Sequence, residues 1–342
     1  MLTDKVTVAE MIRSGEILML SGTEEMLTGL PQGNWIGGTS SYFMNENGGK
    51  KCLDKIFVMK LPGDAEMQQI KSYDSEHLLD ISHDAPENGF TYLLMPFGSK
   101  AHYNYAEKTP SFTKVTIGWI AGVSLEDIGK KTAKVFNGQN GQVSEAEALA
   151  MHCGLPKGKY ATISTINIYK ADTSAAVTFP TSGFEVGDCF VNDKPTNIVE
   201  YIKERGINTK APLVTHFRFG SSNARKSIDL SNPMFADYGG NYVNISFAQM
   251  KEKTAALYAP VFKDVKYYFA QPVSDYMSEY QKQLKAVHGD HAFSFSCILN
   301  YTNSNLEGKV TEGMYGPFTF GEVAYQLLNQ TLVYLEIKGN HV

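Results

Sequence analysis

One stretch near the C-terminus decides the predicted fold of this chain: Gly313-Met314-Tyr315-Gly316-Pro317-Phe318-Thr319-Phe320-Gly321-Glu322-Val323-Ala324. Its glycines and proline predict a turn. Thr319 followed by Glu322 has the spacing of a capping box, in which two side chains bond each other's backbone amides where a helix begins. The stretch therefore predicts a turn, then a helix with an apolar stripe, and then a strand over 331–335.

A functional interpretation of the same stretch stands beside the structural one. The free amides at a helix N-terminus attract anions, which makes the stretch a candidate site for the acidic group of a ligand. Alternatively, the Glu322 carboxylate binds the ammonium group of a ligand. The two roles of Glu322 compete, because a carboxylate that caps a helix is already partly engaged.

A looser copy of this plan lies near the N-terminus. There a strand at 17–22 leads to a helix, to Gly37-Gly38-Thr39 and to a strand at 55–59. In the C-terminal copy a strand at 293–297 leads to the turn, and the helix follows the turn instead of preceding it. The two segments indicate an internal duplication. The alternative is that two strand-turn-strand segments resemble each other by chance. Directly consecutive strands mixed with helices predict an α+β fold, with mixed sheets, flanking helices and a pseudo-two-fold duplication.

A second capping box, Ser144 with Glu147, predicts another helix. Its apolar continuation ends at Gly154, and His152 lies in its last turn. A histidine there needs no function, because the helix dipole stabilises partial positive charge at a C-terminus.

Composition and charge argue against several classes of function. The 342 residues carry a formal net charge of −5, and their lysines and arginines are scattered among acids. Nucleic-acid binding and attachment to an anionic membrane are therefore not expected. No segment has the apolar length of a membrane span, and the first residues do not resemble a secretion signal. We expect a cytoplasmic protein whose four cysteines are reduced.

Cys297 ends an apolar strand beside the predicted turn. A catalytic thiol needs a histidine or a helix N-terminus close to it. His288 and His291 lie at the other end of the same strand, roughly 20 Å away at ~3.3 Å per residue. A local Cys–His pair is excluded, and a buried structural cysteine is the favoured interpretation.

Several of these segments resemble the FIST sensory domains of bacterial signal-transduction proteins. The main match comprises a strand ending in Ser-Cys (293–297), a Gly-Pro-Phe-Thr-Phe-Gly-Glu turn (316–322) and an Asn-Gln-Thr-Leu strand (329–332). Trp35-Ile36-Gly37-Gly38-Thr39-Ser40 is similar to the family's N-terminal turn, with Gly38 where cysteine is usual.

The resemblance also implies two parts. Residues 184–201 resemble the join between the family's N-terminal and C-terminal parts. These parts would cover 1–195 and 196–342. Such a protein would be a non-enzymatic sensor of a small ligand, with amino acids and small acids as candidates, and would act on a separate signalling protein.

The candidate ligand site combines the two glycine turns with the neighbouring strand end. Its residues are Gly37, Gly38, Thr39, Ser40, Cys297, Tyr315, Thr319, Gly321 and Glu322. No cofactor or metal is expected, and a homodimer is left open. Two alternatives remain: an enzyme in which Cys297 or Glu322 acts in hydrolysis or amide chemistry, and a structural subunit of an oligomer.

Overall fold

The computed structural model describes residues 1–108, 114–205, 232–273, 275–287, 293–311 and 313–339. The predictions that involve His288 and His291 lie outside these ranges. Within them the chain has the predicted α+β architecture, with mixed sheets and flanking helices. No helix in the described part combines the length and the apolar character needed to cross a membrane.

Residues 2–60 form the first of three units that share one order of elements. In chain order these are β1 (Leu2–Thr3), α1 (Lys5–Arg13), β2 (Leu18–Gly22), α2 (Glu24–Leu27), β3 (Trp35–Thr39), β4 (Tyr42–Asn45), β5 (Gly48–Lys51) and β6 (Ile56–Lys60). The central strand β2 pairs parallel with β3 and antiparallel with β6, which also pairs with β1. Helix α2 lies in the crossover between the parallel strands and begins where the Thr23 side chain accepts the N–H of Met26.

Residues 66–154 form the second unit. Its elements are β7 (Glu66–Tyr73), α3 (Asp80–Asp84), β8 (Gly89–Pro96), α4 (Lys100–Lys108), β9 (Thr116–Ala121), β10 (Val135–Asn137), β11 (Gln142–Ser144) and β12 (Ala148–Gly154). The central strand β8 pairs parallel with β9 and antiparallel with β12, which also pairs with β7. The pairing therefore repeats that of the first unit.

The third unit is divided by an inserted segment. Its first strand is β13 (Lys159–Ile166). The inserted segment contains β14 (Val177–Thr178), β15 (Gly183–Val186), β16 (Asp188–Val191), β17 (Lys194–Asn197), α5 (Ile198–Glu204), β18 (Met234–Tyr238), β19 (Asn241–Ile245), β20 (Phe247–Met250), β21 (Ala255–Val261) and β22 (Lys266–Phe269). These strands form two antiparallel sheets. The predicted boundary between residues 195 and 196 falls in this segment, and the two-part division stays a prediction.

The third unit resumes after the inserted segment. Its remaining elements are α6 (Tyr276–Lys285), β23 (Phe293–Cys297), α7 (Ile298–Asn303), β24 (Gly316–Thr319), β25 (Glu322–Ala324), β26 (Gln326–Leu328) and β27 (Leu332–Gly339). The central strand β23 pairs parallel with β24 and antiparallel with β27, which also pairs with β13. The two units that the sequence matched thus share a topology, and a third copy lies between them.

Each unit contributes a hairpin to the sheet of another unit. Strands β4–β5 of the first unit continue the third unit's sheet beside β24, and β25–β26 continue the second unit's sheet beside β9. Strands β10–β11 of the second unit continue the first unit's sheet beside β3. The exchange closes a ring of three units, so no unit completes its six-stranded sheet alone.

Two segments that the sequence predicts as helices are strands. The segment after Thr319 pairs with β9, and the segment after Ser144 lies between β7 and β8. In the second case the Ser144 hydroxyl accepts the N–H groups of Ala146 and Glu147 at 3.2 and 3.0 Å, which closes a turn. The spacing of Ser144 and Thr319 from the residues after them therefore determined local hydrogen bonds. Pairing with the neighbouring strands determined the backbone conformation.

The core between the second and third units is aromatic. The Tyr92 ring meets Trp119 at 5.5 Å and Phe293 at 5.2 Å between centroids, and Trp119 meets Phe295 at 5.6 Å. All four side chains are buried. Because β8 and β23 are covered on both faces, their buried residues form nearly continuous runs.

Candidate functional site

The two segments predicted as glycine turns lie against each other, but both are strands: residues 37–39 belong to β3, and Gly316–Thr319 is β24. The Ser40 hydroxyl donates a hydrogen bond to the Phe318 carbonyl at 2.9 Å, and Phe43 of β4 pairs with Pro317 of β24. Thr39 and Thr319 are both buried beside this contact. The two segments that the sequence combined in one candidate site are thus neighbours, and their junction is a packed interface between units.

The N-terminal residues of the candidate site line a separate pocket. Thr39 and Ser40 line a polar pocket of about 220 Å³ that does not include Tyr315, Thr319 or Glu322. Its acidic side chains are engaged with lysines, since Lys131 lies 3.3 Å from the Asp127 carboxylate. The predicted site residues thus lie on two sides of the unit interface.

The glycines of the candidate site are explained by close packing. A Cβ atom on Gly38 would lie 3.1 Å from Nε1 of Trp119, and one on Gly37 would lie 3.2 Å from the Trp35 ring. Gly321 has a φ of +152°, a conformation that side chains disfavour. Tyr315 lies at the surface, where its carbonyl accepts a hydrogen bond from Ser294.

Glu322 is fully buried, and its carboxylate is held by hydroxyl groups. Oε1 accepts from the Thr319 hydroxyl at 3.1 Å, and Oε2 accepts from the Thr331 hydroxyl at 2.9 Å. Burial raises the pKa of Glu322 to about 8, against the opposing effect of the bonds from Thr331 and Thr319. The carboxyl group is therefore mostly protonated at neutral pH and ionises as the pH rises through about 8.

Cys297 lies against this carboxyl group at the C-terminal end of β23. Its thiol contacts Glu322, and the backbone N–H groups of Gln330 and Leu299 face the sulfur. Burial, followed by the neighbouring Glu322, raises the pKa of the Cys297 thiol well above its usual value. The resting thiol is thus neutral, and the groups around it would stabilise a thiolate only if Glu322 took its proton.

The backbone beside this pair adopts an unfavourable conformation. Gln330 has a φ of +53°, which is uncommon for a residue other than glycine. Its side chain is held at both ends, because Ser246 donates to Oε1 at 2.6 Å and Nε2 donates to the Tyr169 hydroxyl at 3.1 Å. Ser246 belongs to the inserted segment, so that segment helps to fix the Gln330 amide that faces the sulfur.

A cavity of about 10 Å³ adjoins Cys297. Its lining includes Tyr258, Phe320 and Asn329. Asn329 is 1 % exposed, and its Oδ1 finds no donor in the part of the chain that the structure describes. This volume fits one water-sized group, which Asn329 could bind.

A larger aromatic pocket of about 280 Å³ lies on the other side of Tyr258, between α4 and the inserted segment. We call it the aromatic pocket; its lining residues are Phe97, His102, Tyr103, Phe184, Glu185, Ala248, Gln249, Ala256, Leu257 and Tyr258. Tyr103 and Phe184 meet edge to face at 4.8 Å between ring centroids. The pocket opens at the C-terminal end of β8, an edge at which open α/β sheets commonly bind ligands.

His102 of this pocket has one ring nitrogen that lacks a partner within the described residues. Its Nδ1 accepts the backbone N–H of Gly98 at 3.2 Å, so the ring proton lies on Nε2. Nε2 is buried and has no hydrogen-bond partner among the described residues. Burial lowers the pKa of His102 to about 4, which keeps the ring neutral at physiological pH. His102 therefore offers one N–H donor.

Comparison with known protein families assigns the chain to a family. The model of a family of unknown function, DUF6976, matches residues 3–224 and 216–338. The chain belongs to this family. The FIST resemblance inferred from the glycine turns is therefore wrong, and the sensory and signalling roles that it implied are withdrawn. No curated protein matches the chain.

The aromatic pocket was missed in the sequence. Phe97 and His102 come from the second unit, whereas Phe184 and Tyr258 come from the inserted segment. No short motif joins positions so far apart in sequence, and a lone histidine in a helix carries no signal by itself. No cluster of three or more potential metal-ligating side chains occurs within the described ranges.

Proposed function

We propose that this protein binds a small, uncharged carbonyl compound in the aromatic pocket. The observation that carries the proposal is that His102, a residue of the pocket lining, has a buried N–H without an acceptor in the described part of the chain. A buried donor without a partner costs about 1–3 kcal/mol, and a ligand oxygen would remove that cost. A neutral histidine donates to a carbonyl oxygen without requiring a charge on the ligand.

The walls favour an apolar ligand with one polar end. Phe97 and His102 lie 5.6 Å apart between ring centroids, and the rings of Tyr103 and Phe184 also line the pocket. Aromatic walls with few polar groups are typical of small-molecule sites. The volume of about 280 Å³ suits a ligand with a single ring.

The charges of the pocket disfavour an amino acid. Among the lining residues that the structure describes, Glu185 alone is charged, and its carboxylate is bound by Lys251 at 2.7 Å and Thr254 at 2.6 Å. A ligand carboxylate would find no lysine or arginine among these residues, and it would lose its hydration. We therefore prefer a neutral amide, ester or ketone to the small acids that the sequence suggested.

Calorimetric titration with benzamide, acetophenone and phenyl acetate tests the proposal. We expect at least one of them to bind, and His102→Ala to weaken that binding by roughly 2- to 10-fold, the value of one neutral hydrogen bond. His83→Ala is the matched control, because His83 is exposed on α3. Binding of none of these probes, or equal binding by a folded His102→Ala protein, would overturn the proposal.

A further inference from the structure

The Cys297–Glu322 pair occupies positions that the repeated fold fills differently elsewhere. The last residue of each central strand that pairs with its parallel neighbour is Gly22 in the first unit, Pro96 in the second and Cys297 in the third. These three residues occupy equivalent positions in the three units, but their side chains are chemically different. The fold by itself therefore does not require a thiol at this position.

The same comparison applies to Glu322. Glu322 follows Thr319 by three positions and begins β25, just as Tyr42 follows Thr39 by three positions and begins β4. A tyrosine thus satisfies this position in the first unit, whereas the third unit buries a carboxyl group there. The hydroxyl groups of Thr319 and Thr331 bond this buried carboxyl group, which the first unit does without at the same position.

The third unit differs from the others in a second respect, because it carries the inserted segment. That segment supplies Tyr258, which lines both the aromatic pocket and the cavity beside Cys297. The wall between the two spaces also contains Phe97 and Phe320, whose rings meet edge to face at 5.2 Å. The aromatic pocket and the cavity that Cys297 lines therefore share Tyr258 as a common wall.

We propose that Cys297 is the nucleophile of an acyl-transfer reaction and that Glu322 accepts its proton, with the substrate an ester, thioester or activated amide held in the aromatic pocket. The proposal rests on the proposed function, because the pocket must bind the acyl compound first. The reacting carbonyl group enters the small cavity when the Tyr258 side chain turns aside.

The reaction balances with water as the second substrate. In the form with Glu322 ionised, Sγ attacks the carbonyl carbon while the thiol proton passes to the Glu322 carboxylate, and the bond between that carbon and the leaving group breaks. The leaving group departs with the proton from Glu322, which leaves a thioester on Cys297. Water then attacks the thioester, Glu322 accepts its proton and returns it to sulfur, and a carboxylic acid is released.

Acylation by p-nitrophenyl acetate tests the proposal in the full-length protein. We expect a burst of nitrophenolate that matches the protein concentration, with the acetyl group mapped to Cys297 by peptide mass spectrometry. Cys297→Ser should abolish the burst. Glu322→Gln should slow acetylation about 100-fold or more, which is the usual contribution of a positioned base. Cys153→Ser is the matched control and should leave the burst unchanged, since Cys153 is also buried but its thiol donates to the Met151 carbonyl instead of contacting a carboxyl group.

The site mapping uses the unaltered protein, so it stands even if a variant fails to fold. Absence of acetyl-Cys297 in the folded protein, or equal acetylation of Cys153, would overturn the proposal. Ligand binding that depends on His102, without acetylation of Cys297, would refute this inference alone. Acetylation of Cys297 that neither benzamide nor His102→Ala affects would instead refute the aromatic pocket as the binding site.

Discussion

The hydroxyl of Thr319 donates a hydrogen bond to the Glu322 carboxylate at 3.1 Å across the turn between β24 and β25. The same two residues, three positions apart, predict a capping box in a helix. Here they meet in an extended segment, because the Glu322 strand pairs with β9 of another unit. The contact therefore connects β24, in the sheet of the third unit, to β25, in the hairpin that extends the sheet of the second unit.

The pH dependence of stability should report the buried carboxyl group. Because Glu322 has a pKa of about 8 in the folded protein and 4.5 as its ordinary value, folding retains a proton between these values. Its contribution to the free energy of unfolding is full below pH 4.5 and is lost as the pH rises to about 8, by about 1.4 kcal/mol per pH unit. Urea unfolding at pH 5.5, 6.5 and 7.5 should show this slope in the unaltered protein and not in Glu322→Gln.

The groups around Glu322 do not mask this effect. Burial raises the pKa values of Cys297, Tyr276 and Tyr280, the titratable groups that act on Glu322, so these groups stay protonated across the interval. Other residues contribute equally to both proteins and cancel in the difference. Parallel pH profiles for the two proteins would contradict the assignment.

Removal of one hydroxyl group should destabilise the fold through Glu322. The Thr331 hydroxyl donates to Glu322 at 2.9 Å, so Thr331→Val leaves a buried carboxyl group with one donor fewer. We expect the free energy of unfolding to fall by about 1–3 kcal/mol. The matched control is Thr162→Val, because the Thr162 hydroxyl has no partner within the described residues. That control should change stability by less than about 0.5 kcal/mol; equal losses in both variants would refute the explanation.

Gly316 begins β24, the parallel neighbour of β23, and this position should tolerate no side chain. A Cβ atom on Gly316 would lie 1.8 Å from the Ser294 carbonyl oxygen, a backbone atom of the adjacent strand β23. We expect Gly316→Ala to separate these strands and to lower the free energy of unfolding by more than about 3 kcal/mol, as overpacking against backbone does. Thermal unfolding followed by circular dichroism measures the loss.

Gly63→Ala is the control for this substitution. A Cβ atom on Gly63 would meet no heavy atom within 4 Å in the described structure. Its melting temperature should stay within about 2 °C of the unaltered protein or rise slightly, because alanine restricts the unfolded chain more than glycine does. A Gly316→Ala protein that melts with this control would mean that β23 and β24 are not in close contact.

Much of the local structure was predictable from short patterns. The strand that ends at Cys297 is where its residue types predict it, whereas the segment predicted as a turn at Gly37–Ser40 continues strand β3, which covers Trp35–Thr39. The helices predicted after Ser144 and Thr319 failed, because the same side-chain spacing closes a turn as well as a helix. Whether such a segment becomes a helix or a strand depends on pairing with β9, or with β7 and β8. These strands lie outside the short stretch of sequence that is read.

The candidate site was only partly predictable for a related reason. Glu322, Thr319 and Cys297 were singled out by their types and positions, and they do lie together. His102 and Tyr258 were not, because the aromatic pocket joins the second unit to a segment inserted in the third. The three-unit ring was also hidden, since the repeated strands conserve burial and pairing more than residue identity.

The sequence by itself determined the α+β class, the ends of several strands and the meeting of Thr319 with Glu322, because hydrophobic patterning and short side-chain reach act over a few residues. Only the tertiary structure decided that three units exchange hairpins, that Glu322 lies on a strand, and that a buried histidine faces an aromatic pocket. Those features depend on strand edges and side chains brought together from distant parts of the chain, where pairing and burial outweigh local propensity.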